Sequence, residues 1–179
     1  MHPIERKIAG FSGKADFIAS GGCGRVFAHG DNRVYKEAVA DGTGVWLERC
    51  LAIQKRLGIN HPLCKFMPEV FSFQWSKDRS RYKALMRRYT RIHDGDEVDG
   101  MTYNSIPTWT TEIQKAAEAV IGEGNAGDLH GGNILWCTRD KRWVLIDPSF
   151  ASVSSCGPQD PKFNRAKRVV TQYGPPRRQ

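Results

Sequence analysis

The stretch Gly127-Asp128-Leu129-His130-Gly131-Gly132-Asn133-Ile134-Leu135-Trp136, followed closely by Arg142-Trp143-Val144-Leu145-Ile146-Asp147-Pro148, decides how the rest of the chain is read. Ile134 to Trp136 is an apolar run, Cys137 to Arg142 a turn, and Trp143 to Ile146 a second run that stops at Asp147-Pro148. Two short apolar runs around a turn read as a β-hairpin. Asn133 enters the first strand and Asp147 leaves the second, so strand pairing brings them to one edge. Asp128 stands just before them on a Gly-containing loop. Three oxygen-bearing side chains at one edge suit a hard cation and a phosphate. Mg2+ prefers oxygen ligands and usually takes only one or two carboxylates from the protein.

A second motif lies near the start. Lys14 to Ala19 reads as a strand, Ser20 to Gly24 as a flexible turn, and Arg25 to His29 as the returning strand. Gly21, Gly22 and Gly24 would let backbone N–H groups approach a phosphate closely. A plain hairpin turn is the alternative. After Gly30-Asp31-Asn32, a tight turn, the strand Arg33-Val34-Tyr35-Lys36 presents a lysine that is either a phosphate ligand or a solvated strand residue.

In their order along the chain these stretches resemble the protein-kinase-like fold, especially its aminoglycoside-phosphotransferase branch. They are more similar still to the early serine/threonine kinases of short-tailed enterobacterial bacteriophages. The resemblance spans residues 14 to 150. It implies an α+β, minimal bilobal kinase-like fold: an antiparallel N-lobe sheet with an αC-type helix, and a truncated helical C-lobe. Residues 1–90 would form the N-lobe with the Gly-rich loop and hinge, 91–160 the reduced C-lobe, and 161–179 a basic tail.

The resemblance also implies roles. Asp128 would orient the acceptor hydroxyl and accept its proton, Asn133 and Asp147 would hold Mg2+ against ATP, and Lys36 would pair the α- and β-phosphates. His130 would place a donor near the γ-phosphate. Two departures stand out. Ala19 replaces the first glycine of the Gly-rich loop, and Ala126 takes the place of a histidine two positions before Asp128, so the loop needs another brace. The resemblance also leads one to expect an activation segment and further helices after Asp147, for which the 32 residues that follow it (179 − 147) are too few, so peptide-substrate recognition is unaccounted for.

Between the motifs the reading is coarser. Residues 44 to 57 read as a helix with Leu47, Cys50, Leu51, Ala52 and Leu57 toward the core. Glu48 lies beside that stripe, and is either the partner of Lys36 by analogy with the kinase αC glutamate or an exposed helix residue. Glu37 adjoins Lys36 but points to the opposite face of a strand. Val70 to Trp75, a turn at 76–80 and Arg81 to Tyr89 read as a second hairpin running into a hinge. Adenine would bond the backbone near Arg87 to Tyr89, Arg88 included. Met86, Val26, Val34 and Leu135 would wall its ring, although each also suits a plain core. Residues 91–109 read as a loop whose Asp94, Asp96, Glu97 and Asp99 are a solvated face, and Thr110 to Glu123 as a helix.

Composition sets the outer bounds. The chain has 179 residues, 40% of them hydrophobic, and 27 Lys and Arg against 19 Asp and Glu, a net charge of +8. It is long enough for one domain or a small two-lobed one. The charge favours nucleotides, nucleic acid or acidic protein surfaces, or is simply a solvated basic surface. The five cysteines lack disulfide or zinc spacing and suit a reducing cytoplasm. No apolar run suggests a signal peptide or a membrane span. The Pro- and Arg-rich end is expected to be a solubilising tail or a weak contact for an acidic protein or nucleic acid. The expected function is an ATP- and Mg2+-dependent serine/threonine kinase of phage type, acting on host proteins in the host cytoplasm. The alternatives are a kinase of small hydroxylated molecules and an idle kinase-fold protein that blocks a host partner by binding.

Overall fold

The computed structural model describes residues 16–20, 24–40, 42–107, 111–122 and 126–148. Gly21, Gly22, the basic tail at 161–179 and the first residues of the expected strand at 14–19 lie outside them. Among the described residues the architecture is α+β, with a five-stranded antiparallel sheet, two two-stranded ribbons and two α-helices.

The sheet contains β1 (Phe17–Ser20), β2 (Gly24–Ala28), β3 (Arg33–Val39), β4 (Val70–Trp75) and β5 (Arg81–Arg87), in the order β1-β2-β3-β5-β4. Local chemistry sets its turns. Gly30, at a φ of 67°, supplies the left-handed step between β2 and β3. Between β4 and β5, the Asp78 carboxylate accepts from the Ser76 hydroxyl at 2.6 Å and the Ser80 N–H at 3.0 Å. Those bonds, with one from the Ser80 hydroxyl, pull its pKa down to about 2.

Residues paired across antiparallel strands share a face. The register therefore aligns Gly24, Ala38, Tyr82 and Trp75 in one row, Val26, Lys36, Ala84 and Phe73 in the next, and Ala28, Val34, Met86 and Val70 in a third. Helix α1 (Gly42–Leu57) covers this face with Trp46, Leu47 and Cys50, all without solvent exposure. Thr43, Trp46, Leu47 and Cys50 fall at the spacing of one buried helical stripe. Ala52 and Leu57, expected in the core, are exposed instead, because the buried stripe belongs to the first two turns and the last carries Lys55 and Arg56.

Gly24 is not part of a flexible turn. It sits in β2, where a Cβ would lie 2.5 Å from the Cβ of Ala38 and 2.6 Å from the Glu37 carbonyl oxygen. Its small size is required by strand packing.

The second half of the chain forms a ribbon of β8 (Ile134–Cys137) and β9 (Arg142–Leu145), as the hairpin reading expects. Main chain flanks it on both sides. Thr90 exchanges two backbone hydrogen bonds with Trp136, at 2.9 and 2.8 Å, and the Leu145 N–H donates to the Phe66 carbonyl at 2.9 Å. Arg142 adds bonds to the carbonyls of Cys64, Lys65 and Met67. The ribbon is thereby stitched to the segments that enter and leave the β4–β5 hairpin. Helix α2 (Thr111–Ile121) buries Ile113, Ala117, Val120 and Ile121 in the same core as Leu129, Ile134 and Leu145.

The expected loop at 91–109 contains a small ribbon, β6 (Glu97–Val98) with β7 (Met101–Thr102), turning at Asp99 and Gly100. Asp99 departs from the solvated-face reading. It accepts from Lys141 Nζ at 2.6 Å and from Trp136 Nε1 at 2.8 Å, and these bonds hold its carboxyl below the usual range.

Two substitutions probe how α1 seats on the sheet. Alanine at position 44 gains about 1 kcal/mol of helix propensity over glycine. Its Cβ, however, would lie 2.5 Å from Trp75 Cη2 and 2.8 Å from Tyr82 Cδ1. Gly44→Ala should therefore destabilise the fold, and a urea midpoint at or above that of the parent would refute the packing argument. Trp46 donates from Nε1 to the Leu145 carbonyl at 3.0 Å. Trp46→Phe leaves that buried carbonyl without this donor and should cost roughly 1–3 kcal/mol, plus the lost volume, read from equilibrium unfolding at unchanged slope.

Candidate functional site

Lys36 and Asp147 meet where the large sheet faces the β8–β9 ribbon. Lys36 Nζ lies 3.1 Å from Asp147 Oδ2, with side chains 15% and 21% exposed. The other carboxylate oxygen, Oδ1, accepts from the Thr43 hydroxyl on the first turn of α1. A partly desolvated carboxylate needs such partners, because removing a charge from water without compensation is costly. One carboxylate thus joins β3, α1 and the end of the ribbon.

The loop before β8 closes on itself beside Asp147. The Gly127 and Asp128 N–H groups both donate to the Pro148 carbonyl, at 2.9 and 3.2 Å, so the residue after Asp147 supplies the brace that Ala126 cannot. The Asn133 amide nitrogen donates to both the carbonyl and Oδ2 of Asp128, each at 2.9 Å. The same nitrogen lies 3.2 Å from His130 Nε2, so the amide nitrogen is turned to the loop and Oδ1 is the Asn133 atom that could accept a cation. At the base of the hairpin, the Ile146 N–H donates to the Asn133 carbonyl at 2.8 Å, which sets Asn133 opposite the residue preceding Asp147. Main-chain bonds thus set the Asp128–Asn133 loop beside residues 146–148, and Lys36 reaches Asp147 from the sheet.

His130 is exposed and lies beside Asp128. Its Nδ1 accepts from the Gly132 N–H at 3.0 Å, and its Nε2 lies 3.2 Å from the Asn133 amide nitrogen and 3.4 Å from Asp128 Oδ1. This arrangement requires glycine at 132, where a Cβ would lie 2.7 Å from His130 Cε1.

The expected Lys36–Glu48 pair is not formed. Glu48 falls off the stripe that Thr43, Trp46 and Leu47 bury, and the cation within reach of its carboxylate is Arg79 at 3.9 Å. Thr43 occupies the place in the site that Glu48 was expected to fill. The sequence held one signal for it, since Thr43 shares the helical stripe of Leu47 and Cys50 while carrying a hydroxyl. A strong periodic pattern draws attention to apolar positions and passes over the polar one among them.

Val26, Val34 and Met86 stand on the same sheet face as Lys36, and Leu135 lies on β8, half-buried, next to the Trp136 that pairs with Thr90. The main chain after β5 is less open than expected. The Arg87 N–H donates to the Glu69 carbonyl at 3.0 Å and the Arg88 N–H to the Asn32 carbonyl at 2.9 Å. A base docking there would find those two donors already engaged. The Tyr89 hydroxyl accepts from the Glu69 N–H at 2.7 Å, and burial pushes its pKa above the ordinary tyrosine range.

Other expectations are met in part. Among the described residues, Cys50, Cys64 and Cys137 are buried free thiols. None of the described helices is long and apolar enough to cross a membrane. No family model matches the sequence, and no curated protein matches it. Among solved structures the chain is similar to the crystal structure of WbdD, at 14% identity and a TM-score of 0.46, over 79% of this chain and 34% of that one. The chain therefore corresponds to about a third of WbdD's length. A likeness at this level carries no argument about activity.

Proposed function

We propose that the chain is an ATP- and Mg2+-dependent phosphotransferase of protein-kinase-like architecture that acts on serine or threonine hydroxyls of a host protein. In this reading 1–90 is the upper lobe, 91–160 a reduced lower lobe and 161–179 a basic tail. The observation that carries it is the 3.1 Å contact of Lys36 with Asp147, beside the Asp128–Asn133 pair. A lysine paired with one carboxylate, and an amide paired with another on the adjoining loop, supply the kinds of group that phosphoryl transfer needs.

The chemistry of these donors fits the cofactors. Asp147 and the Asn133 amide oxygen are hard oxygen ligands, few enough to leave room for phosphate and water around Mg2+. Val26, half-buried on the sheet face that carries Lys36, is an apolar group a nucleobase could meet, whereas Val34 and Met86 lie behind it in the core. Bound Mg2+–ATP would supply the transferable γ-phosphoryl group.

The chain's own residues have separable tasks. Asp128 would hold the acceptor hydroxyl in line and take its proton as the new O–P bond forms and the bond from the γ-phosphorus to the departing ADP oxygen breaks. Asn133 keeps Asp128 oriented through its amide nitrogen while offering its oxygen to the cation. Lys36 carries a positive charge that moves from Asp147 to phosphate oxygens. His130 works on the Asp128–Asn133 pair rather than on the γ-phosphate, since its Nε2 lies against both of them. Most of the catalytic effect would come from positioning and from charge stabilisation in a partly desolvated cleft.

The purified chain, incubated with γ-labelled ATP, Mg2+ and host extract, should label discrete protein bands. Asp128→Ala should lower that labelling roughly 10²- to 10⁴-fold, the usual worth of a general base. Equal labelling by parent and variant would refute the assignment. Label confined to small molecules would favour the small-molecule kinase. An undiminished biological effect from Asp128→Ala would favour an idle fold that acts by contact.

A further inference from the structure

We propose that Thr43 is the positioning residue through which α1 sets Asp147 for a divalent cation. The proposal rests on the phosphotransferase reading and extends it to a residue outside the expected set. Asp147 has two carboxylate oxygens, and the structure assigns each a different kind of partner. Oδ2 faces the mobile, charged end of Lys36 at 3.1 Å, whereas Oδ1 accepts from a Thr43 hydroxyl that has no solvent exposure.

The two partners differ in how they respond to a cation. Lys36 is a point charge on a flexible stem, and it is repelled by a second positive charge at the same carboxylate. Thr43 is a neutral donor on a short, buried side chain, and an arriving ion gives it no reason to leave. Holding Oδ1, it restricts rotation of the carboxylate and keeps Oδ2 aimed at the place Lys36 vacates. Thr43 also stands on the first turn of a 16-residue helix, where the positive end of the helix dipole favours a nearby carboxylate. Outer-sphere hydrogen bonds of this kind orient metal ligands, and their loss typically weakens metal binding 10- to 100-fold. The Glu48 carboxylate makes no such bond to the site and lies 3.9 Å from Arg79. Helix α1 therefore acts on the site through the metal-holding acid, not through the lysine.

The test uses the full chain and a fluorescent ADP, titrated with Mg2+ and read as bound nucleotide. Thr43→Val keeps the shape and removes the hydroxyl. It should raise the Mg2+ concentration for half-maximal binding on the order of tenfold. Thr43→Ser, which restores the hydroxyl, should recover the parent's Mg2+ dependence. A Val variant with the parent's Mg2+ dependence, or a Ser variant that fails like Val, overturns the proposal. Should the parent show no Mg2+-dependent binding, the phosphotransferase reading falls. The Thr43–Asp147 contact is then judged alone, by whether Thr43→Val and Asp147→Asn combine non-additively in urea unfolding. Additive effects would remove the contact as well.

Discussion

The carboxylate of Asp147 is the constraint on which the rest of the arrangement depends. It accepts from Lys36, 111 positions earlier, and from Thr43, 104 positions earlier, so both contacts exist only in the assembled chain. An ion pair of this exposure does little for net stability, because the loss of hydration offsets much of the attraction. Its effect is on specificity. Removing either charge would leave the other partly buried and uncompensated, so β3, α1 and the β8–β9 ribbon are held in one relative placement. Apolar contacts around Trp46 and Leu145 supply the adhesion, and the polar contacts choose the geometry.

The loop carrying Asp128 shows how few residues such a geometry needs. Its start is tied by two N–H groups to the Pro148 carbonyl, and its end by the Asn133 carbonyl to the Ile146 N–H. Between these ties the two glycines admit close neighbours, since a Cβ at 131 would lie 3.3 Å from Ile106 Cδ1 and one at 132 would run into the His130 ring. The loop is consequently short, braced by main-chain bonds, and decorated with side chains that contact one another. A histidine two positions before Asp128 is not required for that bracing when Pro148 supplies the carbonyl.

Much of this was legible from residue order. Alternation and turn residues placed the hairpins at 70–75 with 81–89 and at 134–136 with 143–146, within one or two residues of the strands observed, and strand pairing alone argued that Asn133 and Asp147 share an edge. The failures have physical causes. Gly24 read as turn flexibility, but its reason is the Ala38 side chain across the strand pair, a contact that no local pattern reveals. Glu48 drew attention as the acid nearest the apolar stripe, whereas the first turn of α1 is buried from Thr43 to Leu47 and its polar member reaches the site. The ties from Arg142 and Leu145 to residues 64–67 join segments distant in sequence through carbonyl oxygens, which every residue has and none advertises.

The closed Lys36–Asp147 pair also constrains how a ligand would enter under the proposed function. A cation alone would have to compete with Lys36 for one carboxylate, and success would leave the ammonium group partly buried and unpaired, an unfavourable exchange. A nucleotide alone would draw Lys36 toward its phosphates, leaving Asp147 with a neutral hydroxyl as its remaining partner. Each single step strands a charge, and only the two together conserve pairing, with Lys36 moving to phosphate as Asp147 moves to the cation. Cation and nucleotide should therefore bind with positive coupling, by the same factor whichever is added first, because linkage between two sites is reciprocal. The coupling arises from charge balance at a single carboxylate and needs no large movement of either half of the chain.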